Sequence, residues 1–249
     1  MLTEERWKAI LEILEKEGVV SAQELSERLK VSASTVRRDL TQLDGLGRLV
    51  KVHGGATVVD TQYMTQDMSM EVKYGLYREE KKAIGTYAAR LVSPKDFVFI
   101  DAGTTTEMLV DSLDEKRAIY MTNSMIHARK LSRKGCRVYL PGGEVKQLTE
   151  AIIGGEAADM IRNFHFTIGF FGTNGVNIEC GFTTPDPQEA LIKRISLEHS
   201  KKAYVLCDRS KFNVAAAVSF AGFTDAAVIT DRVPDRKYKK YETIVEVMK

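Results

Sequence analysis

The chain has 249 residues, of which 44% are hydrophobic and 28% charged, with a formal net charge of +2. That length suits a small module plus a larger domain, and the composition is that of an ordinary globular protein, which argues against disorder and membrane insertion. No apolar run approaches the length of a spanning helix, acids follow the initiating Met1-Leu2-Thr3, and Cys136, Cys180 and Cys207 are scattered without a CxxC, so a cytoplasmic protein with no disulfide framework or cysteine metal site is expected.

Charge placement says more than the total. Residues 1–29 carry seven acidic and four basic side chains, whereas residues 30–57 carry five basic and two acidic ones. Trp7, Ile10, Leu11 and Leu14 fall at i, i+3, i+4 and i+7, predicting a helix that Gly18 ends. Ser21 and Glu24 form a capping box that opens a second helix burying Leu25 and Leu29. After Lys30-Val31, Ser32 caps a third helix with Val36, Leu40 and Leu43 inward.

The outward residues of that third helix are Ala33, Ser34, Thr35, Arg37 and Arg38. Small hydroxyl side chains allow close approach to a nucleic-acid groove, and a guanidinium can fork onto guanine or phosphate. A recognition helix in a major groove of duplex DNA fits this pattern, though a solvated arginine pair has the same local sequence. Arg48 to Gly55 alternates like a β-ribbon and ends in a glycine pair, predicting a wing in which Arg48, Lys51 and His53 face the DNA backbone. Residues 1–57 are thus expected to form a winged helix-turn-helix, with Ser32, Ser34, Thr35, Arg37 and Arg38 as its reading face.

Residues 58–77 are polar and methionine-rich without a sustained period, and are expected to be a linker. From residue 78 to residue 249 helices and strands alternate. A helix carries Ile84, Tyr87, Ala88 and Leu91, and Phe97–Ile100 is a buried strand. Thr105–Leu113 is helical, Ile119–Thr122 a strand, Asn123–Ser132 a helix and Arg137–Leu140 a strand. Further strands fall in Phe166–Phe171, Ala203–Leu206 and Ala227–Thr230. This alternation predicts an α/β domain with a mainly parallel sheet covered on both faces.

Ligands of such sheets gather at the carboxyl ends of the strands. There the sequence places Asp101-Ala102-Gly103-Thr104-Thr105-Thr106, where glycine, three hydroxyls and a helix N-terminus suit a phosphate, with Asp101 turned to sugar hydroxyls. An ordinary βα turn has the same composition. Thr122-Asn123-Ser124, Pro141-Gly142-Gly143, Gly172-Thr173-Asn174-Gly175 and Gly181 to Asp186 with Glu189 and Lys193 repeat the chemistry. The expected pocket therefore draws on Asp101, Gly103, Thr104, Thr105, Thr106, Asn123, Gly142, Asn174, Gly175, Thr183, Glu189 and Lys193. The four histidines lack metal-ligand spacing, and neither a metal nor a cofactor is expected. The basic run Arg236 to Lys240, set among tyrosines, is expected to be solvated.

Two sets of residues carry a family resemblance. Ser34-Thr35-Val36-Arg37-Arg38-Asp39-Leu40, followed by Leu43, Gly47 and Lys51-Val52-His53-Gly54-Gly55-Ala56, resembles the DeoR family of sugar-metabolism regulators. Asp101 to Thr105, Gly172 to Gly175, Gly181 to Thr184, Glu189-Ala190 and Asp208-Arg209-Ser210-Lys211-Phe212 resemble that family's effector domain. The resemblance implies a C-terminal fold like that of ribose-5-phosphate isomerase, and a repressor released from operator DNA by a sugar phosphate. One winged helix touches about half of a typical operator, so a homo-oligomer, dimer or tetramer, is expected. The resemblance further implies effector roles for Lys73, Lys81, Asp208 and Lys211. Thr173 to Asp186 and the N-terminal residues look most like fructose-operon repressors, which implies fructose 1-phosphate; a tagatose- or other hexose-phosphate, as in the lactose phosphotransferase-type branch, is the alternative.

Two departures stand out. Asn213 follows Phe212 where the family has glycine, leaving that turn open. Cys180 stands where the isomerase has a lysine, so although Glu189 resembles the isomerase glutamate, binding without turnover is expected, the alternative being an isomerase-like enzyme with an appended DNA-binding domain.

Overall fold

The computed structural model describes residues 2–46, 48–52, 54–57, 63–67 and 70–248. The chain divides into two compact units, Met1–Tyr77 and Arg78–Lys249.

In the first unit α1 (Thr3–Glu17), α2 (Ala22–Leu29) and α3 (Ala33–Gly45) bury Ile10, Leu14, Leu25, Val36, Leu40 and Leu43 in one core. The caps fall where their chemistry requires. The Ser21 hydroxyl accepts from the Glu24 amide at 3.1 Å while Glu24 accepts from the Ser21 amide, also at 3.1 Å. Lys30 takes a left-handed conformation, φ 53°, that ends α2 and turns the chain into α3.

The wing consists of β2 (Val50–Val52) and β3 (Gly55–Thr57), and a third strand, β1 (Val19–Ser21), pairs with β3 to give the antiparallel order β1-β3-β2. Three residues are too few for a periodic signal, so β1 is visible only through its partner. A side chain at Gly55 would meet the Val20 carbonyl at 2.2 Å, which is why the wing begins its return on glycine. The expectation of a plain linker over 58–77 needs correction. Met70–Gly75 forms α4, and Leu76 and Tyr77 join the core of the first unit, with the Lys8 ammonium 5.1 Å from the Tyr77 ring. Burial of two large apolar side chains outweighs the polar composition around them.

In the second unit, α5 (Arg78–Ala89) precedes a regular alternation: β4 (Phe97–Ile100), α6 (Thr104–Ser112), β5 (Ile119–Thr122), α7 (Met125–Arg133) and β6 (Arg137–Tyr139). A hairpin of β7 (Glu144–Lys146) and β8 (Ala151–Ile153), then α8 (Gly155–Ile161), lead to β9 (Ile168–Gly172). After β10 (Gly175–Asn177), β11 (Gly181–Thr184) and α9 (Pro187–Glu198) come β12 (Ala203–Leu206), β13 (Val218–Ala221), β14 (Ala227–Thr230) and β15 (Ile244–Glu246). Seven of these strands form one wholly parallel sheet in the order β15-β14-β12-β9-β4-β5-β6, and β10-β11-β13 form a smaller antiparallel sheet.

Both faces of the large sheet are covered. Val98 and Ile100 pack with Ile84 of α5 and Leu109 of α6, whereas Phe99 of the same strand packs with Ala157 of α8 and Ile192 of α9. This two-sided burial explains why β4 reads as an unbroken apolar run. From β4 the chain proceeds through β5 and β6 to one edge, and from β9 through β12 and β14 to the other. The order therefore reverses between β4 and β9, opening a crevice at their carboxyl ends.

The Gly181–Thr184 segment, expected among the ligand-binding turns, is instead the buried strand β11. Asn213, the departure from glycine, adopts φ 59°, and its side-chain oxygen accepts from the Tyr238 hydroxyl at 2.9 Å. Asparagine is among the residues that tolerate this left-handed region, so the turn is kept without glycine.

Candidate DNA-reading helix and effector site

Ser32 caps α3 by accepting from the Thr35 amide at 3.2 Å, and its hydroxyl lies 2.8 Å from the hydroxyls of Ser34 and Thr35. Ser34, Arg37 and Arg38 are exposed and Thr35 is half-buried, while Val36, Leu40 and Leu43 are covered. The predicted face therefore projects as one polar, cationic surface. On the wing Lys51 is exposed; its amide donates to Asp44 at 2.8 Å and its ammonium to Thr41 Oγ1 at 2.7 Å, tying β2 to the side of α3. Arg48 is half-buried, and His53 lies outside the described residues.

A buried carboxylate outside the predicted reading face ties this helix to α1. Asp39, 1% exposed, accepts from Arg6 Nε at 2.5 Å, Arg6 Nη2 at 2.9 Å and Trp7 Nε1 at 2.9 Å, joining α3 to α1. The hydrogen bond to Asp39 raises the Arg6 pKa. A signal was present: Asp39 stands three residues after Val36 and one before Leu40, on the inward face.

In the second unit the crevice gathers most of its polar groups from three elements. Asp101, at the end of β4, accepts from the Gly172 amide of β9 at 3.0 Å and from the Lys193 ammonium of α9. Lys193 also donates to the Gly172 carbonyl at 3.2 Å. Burial pushes the Asp101 carboxyl up, against the opposing pull of Lys193 and the Gly172 amide. One turn earlier on α9, Glu189 accepts from Lys146 at 3.1 Å, Thr149 Oγ1 at 3.0 Å and Thr184 Oγ1 at 3.5 Å. Asp186 caps α9 through the Gln188 and Glu189 amides, 2.8 and 3.1 Å, and pairs with Lys146 at 2.7 Å. Burial works against the Asp186 carboxylate, but the Lys146 and amide hydrogen bonds outweigh it and hold the group below the usual range.

Beside this network lies the loop into α6. Gly103 precedes the helix and gives its first turn no side-chain cap. Asn123 fixes the loop from β5, its Oδ1 accepting from the Ala102 amide at 2.9 Å. Thr104 and Thr105 are buried, and Thr106 Oγ1 donates to the Gly103 carbonyl at 2.9 Å. His127 on α7 is fully buried and bonded to the Gly103 backbone, with Nδ1 unpartnered; burial drives its pKa down to about 3. The first-turn amides of α6, at a positive dipole end and without a side-chain cap, are suited to an anion.

Other expected site residues have different roles. Thr183 is wholly buried, and its hydroxyl donates to the Gly175 carbonyl at 3.3 Å and accepts from the Ala216 amide at 2.8 Å, so it braces β10 and β11 instead of facing a ligand. Gly175 is a packing glycine, since a side chain there would meet the Val214 carbonyl at 2.4 Å. The Asn174 amide donates to the Thr183 carbonyl at 3.0 Å in the same turn. Gly142 lies in an exposed loop before β7. Asp208 caps a short 3-10 turn through the Ser210 amide at 3.0 Å, with Lys211 closing that turn, and Lys81 is buried early in α5. Lys73 belongs to the first unit, where it pairs with Asp67 at 2.6 Å. Half-buried Cys180 donates its amide to Asn177 at the β10–β11 turn, and the cations paired with Asp101 and Glu189 are Lys193 and Lys146. Lys146 and Thr149 were missed, because the β7–β8 hairpin that delivers them has no apolar period.

Among the described residues no group of three or more His, Cys, Asp or Glu side chains is arranged to hold a metal, and no helix is long and apolar enough to cross a membrane. A winged three-helix unit with an exposed cationic helix, followed in one chain by an α/β unit with a polar crevice, defines a ligand-sensing DNA-binding regulator. The chain belongs to the DeoR family: its residues 6–62 match the DeoR-like helix-turn-helix domain and 77–232 the DeoR C terminal sensor domain. It is similar along its whole length to an uncharacterized HTH-type transcriptional regulator FruR of Bacillus subtilis, 41% identical over 100% of both chains. It is also similar to the lactose phosphotransferase system repressor of Streptococcus mutans, 36% identical over 100% of both. Among solved structures, ribose 5 phosphate isomerase A from Neisseria gonorrhoeae is similar to 54% of this chain over 53% of its own, at 18% identity and a TM-score of 0.40.

Proposed function

We propose that this protein represses a sugar-utilisation operon by binding operator DNA as a homo-oligomer, and that a phosphorylated sugar releases it. The observation that carries the reading is the pairing, in one chain, of the exposed Ser34-Arg37-Arg38 face with a crevice whose helix α6 has no side-chain cap. A phosphate fits the first turn of α6, and sugar hydroxyls fit the network beyond it. That network counts three carboxylates, Asp101, Asp186 and Glu189, against two ammonium groups, Lys146 and Lys193. A net negative cluster favours hydroxyl donors over a second phosphate.

Fructose 1-phosphate is the first effector to test, supported by the whole-length similarity to the FruR regulator, with tagatose- and other hexose-phosphates next. Release requires the sugar phosphate to bind the DNA-free state more tightly than the DNA-bound one. A coupling of about 1–3 kcal/mol weakens operator binding roughly 5- to 150-fold.

The test uses full-length protein and an operator selected from a random duplex library. Thermal-shift screening against sugar phosphates should show a rise in melting temperature with fructose 1-phosphate, and the same compound should displace the duplex in fluorescence anisotropy. Asp101→Ala should remain on DNA in its presence. Failure to select any duplex at low salt, where phosphate contacts are strongest, would overturn the reading.

A further inference from the structure

Besides the Asp101 network, the second unit buries another set of charges. Arg209 opens the 3-10 turn after β12, between Asp208 and Ser210. Its Nη1 donates to Asp231 Oδ2 at 2.8 Å, just past β14, and to Glu80 Oε1 of α5 at 3.3 Å. The Arg209 amide adds a bond to Asp231 Oδ1 at 2.7 Å. Arg209 is 8%, Glu80 7% and Asp231 1% exposed.

Such a triad is a poor way to gain stability, because withdrawing the charges from water offsets most of their attraction. It is a good way to fix direction. A guanidinium forked between carboxylates on separate elements passes displacement of one to the other, which a greasy contact able to slide does not. The elements it joins are informative. On one side is the turn holding Asp208 and Lys211, which follows β12, where Leu206 is paired with Gly172 of the crevice. On the other is the first turn of α5, which begins at Arg78, immediately after the Tyr77 that is buried in the core of the DNA-reading unit.

The geometry points to the Glu80–Arg209–Asp231 link as the device that couples effector occupancy to DNA release. A ligand that shifts the Asp208–Lys211 turn moves Arg209, and Arg209 moves the first turn of α5 and the chain entering from the first unit. Arg209 and Glu80 are then positioning residues that touch neither sugar nor DNA. The inference rests on the effector reading given above.

Full-length wild type, Glu80→Gln and Arg209→Lys are compared, with fructose 1-phosphate and the selected duplex as probes. Both variants should bind duplex and sugar phosphate separately within about threefold of wild type, while the weakening of duplex binding by saturating sugar phosphate shrinks at least about fivefold. An unchanged weakening with both affinities intact overturns the link, and so does a parallel loss of sugar-phosphate affinity, which would place the residues in the pocket itself. Hydrogen exchange of the wild-type peptide Arg78–Tyr87 covers variants that do not fold: its protection should change on adding fructose 1-phosphate. Binding without that change overturns the link alone, whereas absence of binding by every sugar phosphate overturns the effector reading and the link with it.

Discussion

The two units differ in how they treat the charges of their candidate sites: one exposes them and the other buries them. On α3, Arg37 and Arg38 stand in solvent, and the carboxylate that steadies them, Asp39, is beneath. In the sensor crevice Asp101, Glu189 and Lys193 are all buried, each against a partner of opposite charge. A rigid polyanion arrives with its own hydration and counterions, so the proposed reading face can wait exposed. A small sugar phosphate must be surrounded, which requires polar groups oriented in advance and kept from water.

Breaking the support under the exposed face should have the largest effect. Asp39→Ala strands the Arg6 guanidinium and the Trp7 indole N–H, and should destabilise the first unit by about 3–5 kcal/mol in denaturant unfolding. If stability is untouched, Asp39 does not hold α3. Removing the face itself should act on binding alone. Arg37→Ala is expected to cost about 1–3 kcal/mol of operator affinity while leaving the melting temperature in place; an equal loss of both would mean the side chain is structural.

The buried side predicts acid sensitivity. His127 is neutral when folded, with a pKa near 3, but takes a proton near pH 6.5 when unfolded. The unfolded state binds more protons between those limits, so stability is complete above pH 6.5 and falls as the pH drops towards 3. One such group costs about 2 kcal/mol at pH 5, and His127→Gln should flatten the curve between pH 6.5 and 5. A wild-type slope that survives this substitution would assign the acid response elsewhere. The smallest effect belongs to a cap: Ser32→Ala should cost the first unit about 1 kcal/mol, read by thermal unfolding, and no loss would show that the Thr35 amide finds another acceptor.

How much was legible follows the same contrast. An exposed helical face repeats with the helix, so Ser34, Arg37 and Arg38 could be assigned from spacing to Val36, Leu40 and Leu43. Strands buried on both sides also announce themselves: Ala203–Leu206 and Ala227–Thr230 were expected with the bounds that β12 and β14 have. Glycine and threonine misled at Gly181–Thr184, because a short buried strand in a small sheet has the composition of a loop. The tail of the supposed linker misled for a related reason, since two apolar residues decide where a polar segment packs.

Local spacing alone determined α1, α2 and α3, the caps of α2 and α3, the cationic face of α3 and the alternation that builds a parallel sheet, because each depends on residues within a few turns of one another. Tertiary structure decided that Asp39 is a buried clamp, that Lys146 and Thr149 reach Glu189, that Thr183 braces a turn, and that Arg209 grips Glu80. Those partners include Arg6 and Asp39, 33 residues apart, and Arg209 and Glu80, 129 apart. No local pattern encodes which distant charge will share a dry site, and only the packed chain brings them within hydrogen-bond reach.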